Sequence, residues 1–174
     1  MIDMKEIILS KRAVKRITTD RLKEVEHELS VKIKREGEFF EIDGEAINEW
    51  IAENVLQAIG MGFLLKDALK LKNDEYYLEK SSISEYFGNK EKLVKRYSAR
   101  LIGRNGTVKK NIESLTDVKI IVDDEEDELG LIGTYEDLKV TKKAIQMIFE
   151  GLNHATVFKF LERKREANKF ANLR

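Results

Sequence analysis

The chain has 174 residues, with 32 basic and 32 acidic side chains and a formal net charge of zero. It contains no cysteine and no proline, which excludes disulfides and thiolate metal sites. Its apolar runs fall short of the roughly 18 residues that a membrane span needs. These features predict a soluble, cytoplasmic protein with room for two domains of about 80 residues each.

The first half of the chain predicts the order strand, helix, helix, strand, strand, helix. Thr18, Thr19 and Asp20 supply N-cap chemistry for the second of these helices. A further short helix over residues 64–71 is predicted to connect the two halves. The predicted strands cover 5–9, 31–33 and 38–42, and the predicted helices cover 12–17, a segment containing Leu22, Val25 and Leu29, and about 46–59.

The second half repeats this order, which indicates a duplicated domain. The segment Val31-Lys32-Ile33 aligns with Val118-Lys119-Ile120, and the period of roughly 87 to 90 positions corresponds to whole domains. The predicted strands cover 78–83, 118–122 and 129–132, and the predicted helices cover 91–102, 107–115 and 135–149. A basic helical extension is predicted to follow, with the cations Lys159, Arg163, Lys164, Arg165, Lys169 and Arg174.

Two glycines, Gly103 and Gly106, enclose Arg104 and Asn105 between two predicted helices. Glycine lets the backbone approach a ligand closely, and the two polar side chains can meet phosphate oxygens. Local charge favours such a ligand, because residues 90–110 hold eight basic side chains and one acidic one. The stretch resembles the Gly-x-x-Gly region of a KH domain. The alternative is a tight turn between helices in which the glycines serve only the bend.

The KH resemblance implies a fold of class α+β, with two tandem type I KH domains of order βααββα. Each domain is expected to form a three-stranded sheet with three helices on one face, and the two are expected to pack together because no flexible linker separates them. The predicted boundaries are residues 1–72 for a degenerate first domain, including the connecting helix. Residues 73–174 form the second domain, with the Gly-Arg-Asn-Gly loop and the basic C-terminal helix.

The second domain is predicted to bind single-stranded RNA through its glycine turn, nearby cations and apolar groups. Thr107 is placed at a capping position of the following helix, and Ile112 is expected to lie under the bases together with two other isoleucines. A second match to the glycine pattern, 130–133, lies in a strand pattern and predicts a sheet edge and turn. The predicted RNA-binding residues are Arg100, Ile102, Gly103, Arg104, Asn105, Gly106, Thr107, Lys109, Lys110 and Ile121.

In the first domain, the corresponding loop falls within residues 16–21 and has no glycine. Thr18, Thr19 and Asp20 place Cβ atoms and a negative charge where the backbone of a KH loop approaches phosphate. We therefore expect this domain to serve packing or protein binding. Equal binding of single-stranded RNA by residues 1–72 and by the whole chain would contradict that expectation.

No catalytic, metal or cofactor site is predicted, and the protein is not expected to be an enzyme. His154 lacks catalytic partners at a useful spacing and is expected to stack or hydrogen-bond, either to RNA or to the closing helix. The six carboxylates of 123–128 predict a solvated loop between strands, because consecutive side chains on an extended chain alternate in direction. Trp50, Phe39 and Phe40 are expected in the core or at a domain interface.

Beyond the single loop, the sequence resembles archaeal KH proteins related to the Krr-type and partner-of-NOB-one (Pno/Dim-type) ribosome assembly factors. The resemblance covers nearly the whole chain and is strongest from Gln57 to Arg165. Met61 departs from it, because the family tends to have Arg at this position. The stretches that carry the resemblance are 57–63, 66–69, 100–106 and 150–162.

This resemblance implies a ribosome assembly factor that binds the 3′ region of small-subunit ribosomal RNA through its second KH domain. It also implies two protein partners, a NOB-one-type endonuclease and a subunit of initiation factor two. The residues leave two alternatives open. One is a KH-type regulator of mRNA or translation, and the other is an accessory subunit of an RNA-processing enzyme.

Overall fold

A computed structural model describes residues 5–88 and 90–171 of the chain. Contacts between residues divide it into two compact units, Met1–Leu78 and Glu79–Arg174. Across the described residues, no helix is both long enough and apolar enough to cross a bilayer.

The first unit follows the predicted order of strands and helices. Its sheet has the strand order β1-β3-β2, and both strand pairs are antiparallel. Helices cover one face of this sheet, and strand side chains such as Ile7, Phe40 and Ile42 are buried. The strands are β1 (Lys5–Ile8), β2 (Lys32–Glu36) and β3 (Phe39–Asp43), and the helices are α1 (Lys11–Arg16), α2 (Thr19–Leu29), α3 (Ala46–Met61) and α4 (Leu65–Ala68), which continues as a 3-10 turn, Leu69–Lys72.

The second sheet has the corresponding strand order, β4-β6-β5, again with its last strand in the centre. Sequence patterns had placed residues 130–133 at a sheet edge, which is wrong, because both glycines lie in this central strand. The strands are β4 (Tyr76–Ser82), β5 (Lys119–Asp123) and β6 (Glu128–Thr134), and the helices are α5 (Glu91–Ile102), α6 (Thr107–Thr116), α7 (Tyr135–Phe149) and α8 (His154–Ala171). Short 3-10 turns occur at Ile83–Tyr86 and Arg104–Gly106.

Helix α8 confirms the predicted basic extension and gives the second unit a fourth long helix. Asn153 caps its first turn, because its side-chain oxygen accepts hydrogen bonds from the Thr156 amide at 2.8 Å and hydroxyl at 2.9 Å. Val157 and Leu161 are buried, whereas the cations from Lys159 to Lys169 are exposed. The last predicted cation, Arg174, lies outside the described residues.

One hydrogen bond recurs in both units at equivalent positions. The Glu26 carboxylate accepts from the backbone amide of Ile33 at 2.7 Å, and the Glu113 carboxylate accepts from that of Ile120 at 2.8 Å. In each case a carboxylate from the second helix satisfies an amide of the edge strand that follows. Between the two units, the accepting carboxylate and the donating amide are each displaced by 87 positions (113 − 26 and 120 − 33), which matches the predicted period.

The acidic run 123–128 forms a tight hairpin turn, in which the carboxylates of Asp123 and Asp127 accept hydrogen bonds from neighbouring groups. Strand β5 ends and β6 begins at the cross-strand pair Asp123 and Glu128. The Asp123 side chain, 7% exposed, accepts from the amides of Glu125 and Glu126 at 3.2 and 3.3 Å. Asp127 accepts from the Ser84 amide at 2.9 Å and from its hydroxyl. The predicted loop between strands is confirmed, but the prediction that its carboxylates are solvated is wrong for Asp123 and Asp127, which are bonded within the domain.

Two of the three aromatic residues that were expected in the core or at an interface lie on the surface. Phe40 is 1% exposed, but Phe39 is 58% exposed and Trp50 is 55% exposed. Strand alternation explains why Phe39 is exposed while Phe40 is buried, because adjacent side chains point to opposite faces of the sheet. Trp50 lies on the outer side of α3, so of its two expected places, the core and a domain interface, the core is wrong.

Candidate nucleic-acid interface

The loop between α5 and α6 has an unusual backbone over four residues. Gly103, with φ 74° and ψ 173°, ends α5, and its amide donates to the Ala99 carbonyl at 2.9 Å. Asn105 (φ 53°, ψ 26°) and Gly106 (φ 74°, ψ 14°) are both left-handed. This run turns the chain sharply from one helix into the next and exposes the side chains of Arg104 and Asn105.

The two glycines of this loop have different steric roles. A Cβ on Gly103 would clash with the Val108 side chain and would lie 2.9 Å from the Val108 backbone nitrogen. A Cβ on Gly106 would meet nothing closer than the Lys110 Cε atom at 3.9 Å. Gly103 is therefore required for the bend itself, whereas Gly106 leaves open space at the start of α6. The interpretation that glycine serves only the bend describes one of the two positions.

Helix α6 begins without a side-chain cap. Gly106 occupies the N-cap position, and Thr107 is the first helical residue. The Thr107 hydroxyl donates to the Arg104 carbonyl at 2.7 Å, so the predicted capping role of Thr107 is wrong. An uncapped helix N-terminus carries a partial positive charge and favours an anion. The loop thus presents this end of α6 together with an exposed guanidinium.

The predicted cations around the loop are not equivalent. Lys110 and Arg104 are exposed, whereas Lys109 is half-buried and lies 3.7 Å from the Glu113 carboxylate. The Arg100 guanidinium donates to the carbonyls of Gly151, at 3.1 Å, and Leu152. Arg100 therefore holds the α7–α8 connection in the second unit, a role that sequence patterns did not reveal.

Nearer the start of α5, the charge of Lys95 is balanced by Glu91, four residues earlier. Their side chains are 2.7 Å apart, one helical turn from each other. The hydrogen bond and charge of Lys95 lower the pKa of Glu91, and those of Glu91 raise the pKa of Lys95. The basic density of residues 90–110 is therefore weaker near the start of α5 than at the loop.

The predicted apolar contacts separate into surface and core positions. Ile102 and Ile121 are half-buried and retain surface for a ligand. Ile112 is 0% exposed and packs in the core of the second unit with Val108 and Leu101. The expectation that Ile112 lies under bases is wrong, because α6 turns this position inward at the same helical spacing as Val108.

The His154 side chain contacts the end of α5 and a ring of its own helix. Its Nε2 atom lies 3.1 Å from the Arg100 carbonyl oxygen, and its ring stacks near Phe158 with centroids 6.2 Å apart. Over residues 5–88 and 90–171, no three His, Cys, Asp or Glu side chains are grouped in a way that could hold a metal ion. These contacts tie the start of α8 to the end of α5, close to the glycine loop.

Comparison with known proteins identifies the family. The model of the second KH domain of PNO1, described as a eukaryotic type KH-domain (KH-domain type I), matches residues 77–166. The chain belongs to this type I KH family. The match covers the loop, the second sheet and most of α8.

Two relatives and one solved structure illustrate the similarity. A KH domain-containing protein of Methanocaldococcus jannaschii is 34% identical over 155 residues, covering 86% of this chain and 67% of the relative. The RNA-binding protein PNO1 of Oryzias latipes is 26% identical, covering 62% of this chain and 44% of the relative. The chain thus spans two thirds of the first relative and less than half of the second.

The crystal structure of an a/eIF2alpha-aDim2p-rRNA complex from Pyrococcus horikoshii contains a chain with the same fold. It matches with a TM-score of 0.81 and 24% identity, covering 95% of each chain. The similarity extends over both units, beyond the residues that the KH family model covers.

The equivalent connection in the first unit differs from the KH loop in length and chemistry. Only Ile17 and Thr18 separate α1 from α2, and Ile17 is 1% exposed. The Thr18 hydroxyl oxygen accepts from the Arg21 amide at 3.4 Å. The Arg21 and Arg35 side chains donate to the carbonyls of Arg16, at 2.6 Å, and Ile17, at 3.1 Å. Side chains from α2 and β2 therefore occupy the carbonyls at this connection.

Proposed function

We propose that the chain is a tandem KH protein that binds single-stranded RNA through the Gly-Arg-Asn-Gly loop of its second domain, residues 73–174. The observation that carries the proposal is the loop geometry. Gly106 leaves open space beside the uncapped end of α6, with Arg104, Asn105 and Lys110 around it. The KH family match over residues 77–166 supports the same assignment.

In the proposed complex, phosphates lie against the start of α6 and the bases lie toward β5. Arg104 and Lys110 neutralise phosphate charge, and Asn105 adds neutral hydrogen bonds. Ile102 and Ile121 provide apolar surface for the bases. Lys109 contributes less charge because Glu113 is its partner. Arg100 and Thr107 act from behind the interface, since their side chains bind carbonyl groups of the domain itself.

The RNA is, in this proposal, the 3′ region of small-subunit ribosomal RNA, and the protein is a non-enzymatic ribosome assembly factor. Support comes from the relatives named RNA-binding protein PNO1 and from the solved complex that contains rRNA. The same complex supports an initiation factor two alpha subunit as a partner. A NOB-one-type endonuclease is a further partner that the family resemblance implies.

The first domain, residues 1–72, is proposed to be a degenerate KH domain that serves packing or protein binding. Its sheet has the same strand order as the second sheet, and its Glu26 carboxylate makes the same strand contact as Glu113. Its α1–α2 connection is two residues long and has no glycine, and the carbonyls of Arg16 and Ile17 already accept from Arg21 and Arg35.

The test is a double substitution in the loop, Arg104→Asp with Asn105→Asp. Both positions are exposed, and Asp tolerates the left-handed conformation of Asn105, so the fold is expected to persist. The removal and reversal of charged contacts to phosphate is expected to weaken RNA binding at least tenfold, or about 1.4 kcal/mol. Fluorescence anisotropy with a labelled oligonucleotide of the rRNA 3′ end measures the change.

A matched control is Lys139→Asp with Asn168→Asp, which makes the same change in charge at exposed positions of α7 and α8. It should leave RNA affinity close to that of the unaltered protein. Normal binding by the loop variant would refute the proposed interface. Crosslinking in cell extract followed by sequencing tests the target, and reads scattered over mRNA would refute the ribosomal assignment.

A further inference from the structure

Among the exposed large apolar side chains of the first unit, Ile47 and Trp50 lie on α3, and Tyr77 lines a notch together with Trp50. Ile47 is 61% exposed, Trp50 is 55% exposed and Tyr77 is 48% exposed. Ile47, Trp50 and Asn54 follow one another at intervals of three and four residues along α3, so they form a single stripe on that helix. We call the set of Ile47, Trp50, Asn54 and Tyr77 the Trp50 surface.

The Trp50 surface contains a small notch. It has a volume of about 70 Å³ and is lined by Trp50, Asn54, Leu71, Tyr76, Tyr77 and Leu78. A cavity needs about 10–15 Å³ of such volume to hold one water molecule, so the notch has room for a small apolar group. The Asn54 side chain donates to the Trp50 carbonyl at 2.9 Å, which occupies its amide within the helix. The notch therefore offers aromatic and aliphatic contacts.

The charges around this surface are mainly negative. Helix α3 contains no Lys or Arg. Exposed acidic residues stand just before it, at Asp43 and Glu45, and just before Tyr77, at Asp74 and Glu75. The nearby cations have partners: Lys70 lies over the Tyr76 ring, 5.7 Å from its centroid, and Lys72 lies 3.5 Å from the Glu28 carboxylate. An aromatic surface for stacked bases is expected to carry cations for the backbone, so this pattern disfavours RNA.

We infer that the Trp50 surface is a docking site for a protein segment with an apolar anchor side chain flanked by Lys or Arg. Trp and Tyr are enriched among the residues that dominate binding energy at protein interfaces. The acidic surroundings complement basic flanks, which would steer association and fix orientation. The inference rests on the proposal that the first domain serves a protein partner, and it extends that role to Tyr77, which lies near the start of β4 but in the same compact unit as α3. It is independent of the glycine loop.

Trp50 is the single tryptophan of the chain, so its fluorescence reports directly on this surface. The probe is a synthetic amphipathic peptide of leucine and lysine at helical spacing, without tryptophan. A second peptide has the same leucines with glutamate in place of lysine. The lysine peptide is expected to bind saturably and shift Trp50 emission to shorter wavelength. The glutamate peptide is expected to bind at least tenfold more weakly.

The variant that tests the site is Ile47→Ser with Tyr77→Ser, which keeps the reporter in place. It should weaken binding of the lysine peptide at least tenfold. The matched control is Ile8→Ser with Phe39→Ser, a cross-strand pair that is 67% and 58% exposed. This control should bind the peptide normally. Both variants should bind the rRNA oligonucleotide normally, which separates this test from that of the glycine loop.

Four results would overturn the inference. The first is no emission shift with the lysine peptide, and the second is an equal shift with both peptides. The third is a shift on addition of the oligonucleotide alone, which would make the surface a base-stacking platform. The fourth is a shift that depends on protein concentration without any peptide, which would identify a second copy of the chain as the occupant.

Discussion

Gly103 and Gly106 differ in what limits their replacement. At Gly103 the backbone angles belong to a region open essentially to glycine alone, and Val108 leaves no room for a Cβ. At Gly106 the angles are left-handed and the space beside the residue is open. A shared sequence motif therefore contains one position fixed by folding and one position available to a ligand.

We predict that Gly103→Ala destabilises the second unit by more than about 2 kcal/mol, because strain and a backbone clash act together. Gly106→Asn should cost less than about 1 kcal/mol, because Asn tolerates the left-handed conformation. Loss of helical circular dichroism in urea measures both. Gly106→Asn should nonetheless weaken RNA binding, and equal stability losses at the two glycines would contradict this assignment.

Several single residues could not be placed from the sequence. Ile112 fits the apolar pattern of α6 equally well as a base contact or as core, and only packing against Val108 decides. The Arg100 role depends on carbonyls 51 and 52 positions away in sequence. Trp50 was expected to be buried because it is a large aromatic residue in an apolar helix. The sequence could not correct this, because spacing along a helix does not show which side faces the sheet.

In both units, a carboxylate of the second helix bonds to the edge strand that follows it. Glu26 and Glu113 each stand on the second helix of a unit and accept from an edge-strand amide. The occurrence of this contact in a unit without a glycine loop indicates a role in the fold. Lys109 approaches the same carboxylate in the second unit, which links this contact to the edge of the RNA interface.

Glu113→Ala should destabilise the second unit by about 1–3 kcal/mol, because the amide of Ile120 loses its acceptor. Glu113→Gln keeps a side-chain oxygen and should recover most of this loss. Amide hydrogen exchange of Ile120 is the direct measurement, and it should be faster in the alanine variant. Unchanged exchange in both variants would show that the strand amide does not depend on this side chain.

Element order was the most predictable feature of the structure. Helices α5 and α7 have the bounds that the sequence predicted, 91–102 and 135–149, because periodic apolar positions end at clear turn signals. The hairpin at 124–127 was less predictable, since a run of carboxylates suggests mutual repulsion. Its turn depends on Asp123 bonds to backbone amides and on Asp127 bonds to Ser84.

For the molecule as a whole, equal numbers of acidic and basic residues remove any general attraction to RNA. The 32 cations are balanced by 32 carboxylates, so binding must depend on the local charges of the loop. The exposed cations Arg104 and Lys110, with Lys109, set the expected salt dependence.

We predict that log K falls with log salt concentration with a slope of about −2, because single strands contribute about −0.7 for each of three phosphate contacts. Titrations of the rRNA oligonucleotide between low and moderate salt provide the slope. The loop variant with Arg104→Asp should show a shallower slope. A slope near −5 for the unaltered protein would require phosphate contacts well outside the loop and would contradict a single local interface.

The lengths of the two inter-helix connections have a consequence for how such domains diverge. Four residues separate α5 from α6, but only two separate α1 from α2. Point substitutions cannot interconvert them, because glycines placed at Ile17 and Thr18 would still leave a connection two residues short. To build a Gly-Arg-Asn-Gly loop in the first unit, residues would have to be inserted, and Ile17 would have to leave its buried position. A lineage that shortened this connection could not regain it through successive single-residue replacements.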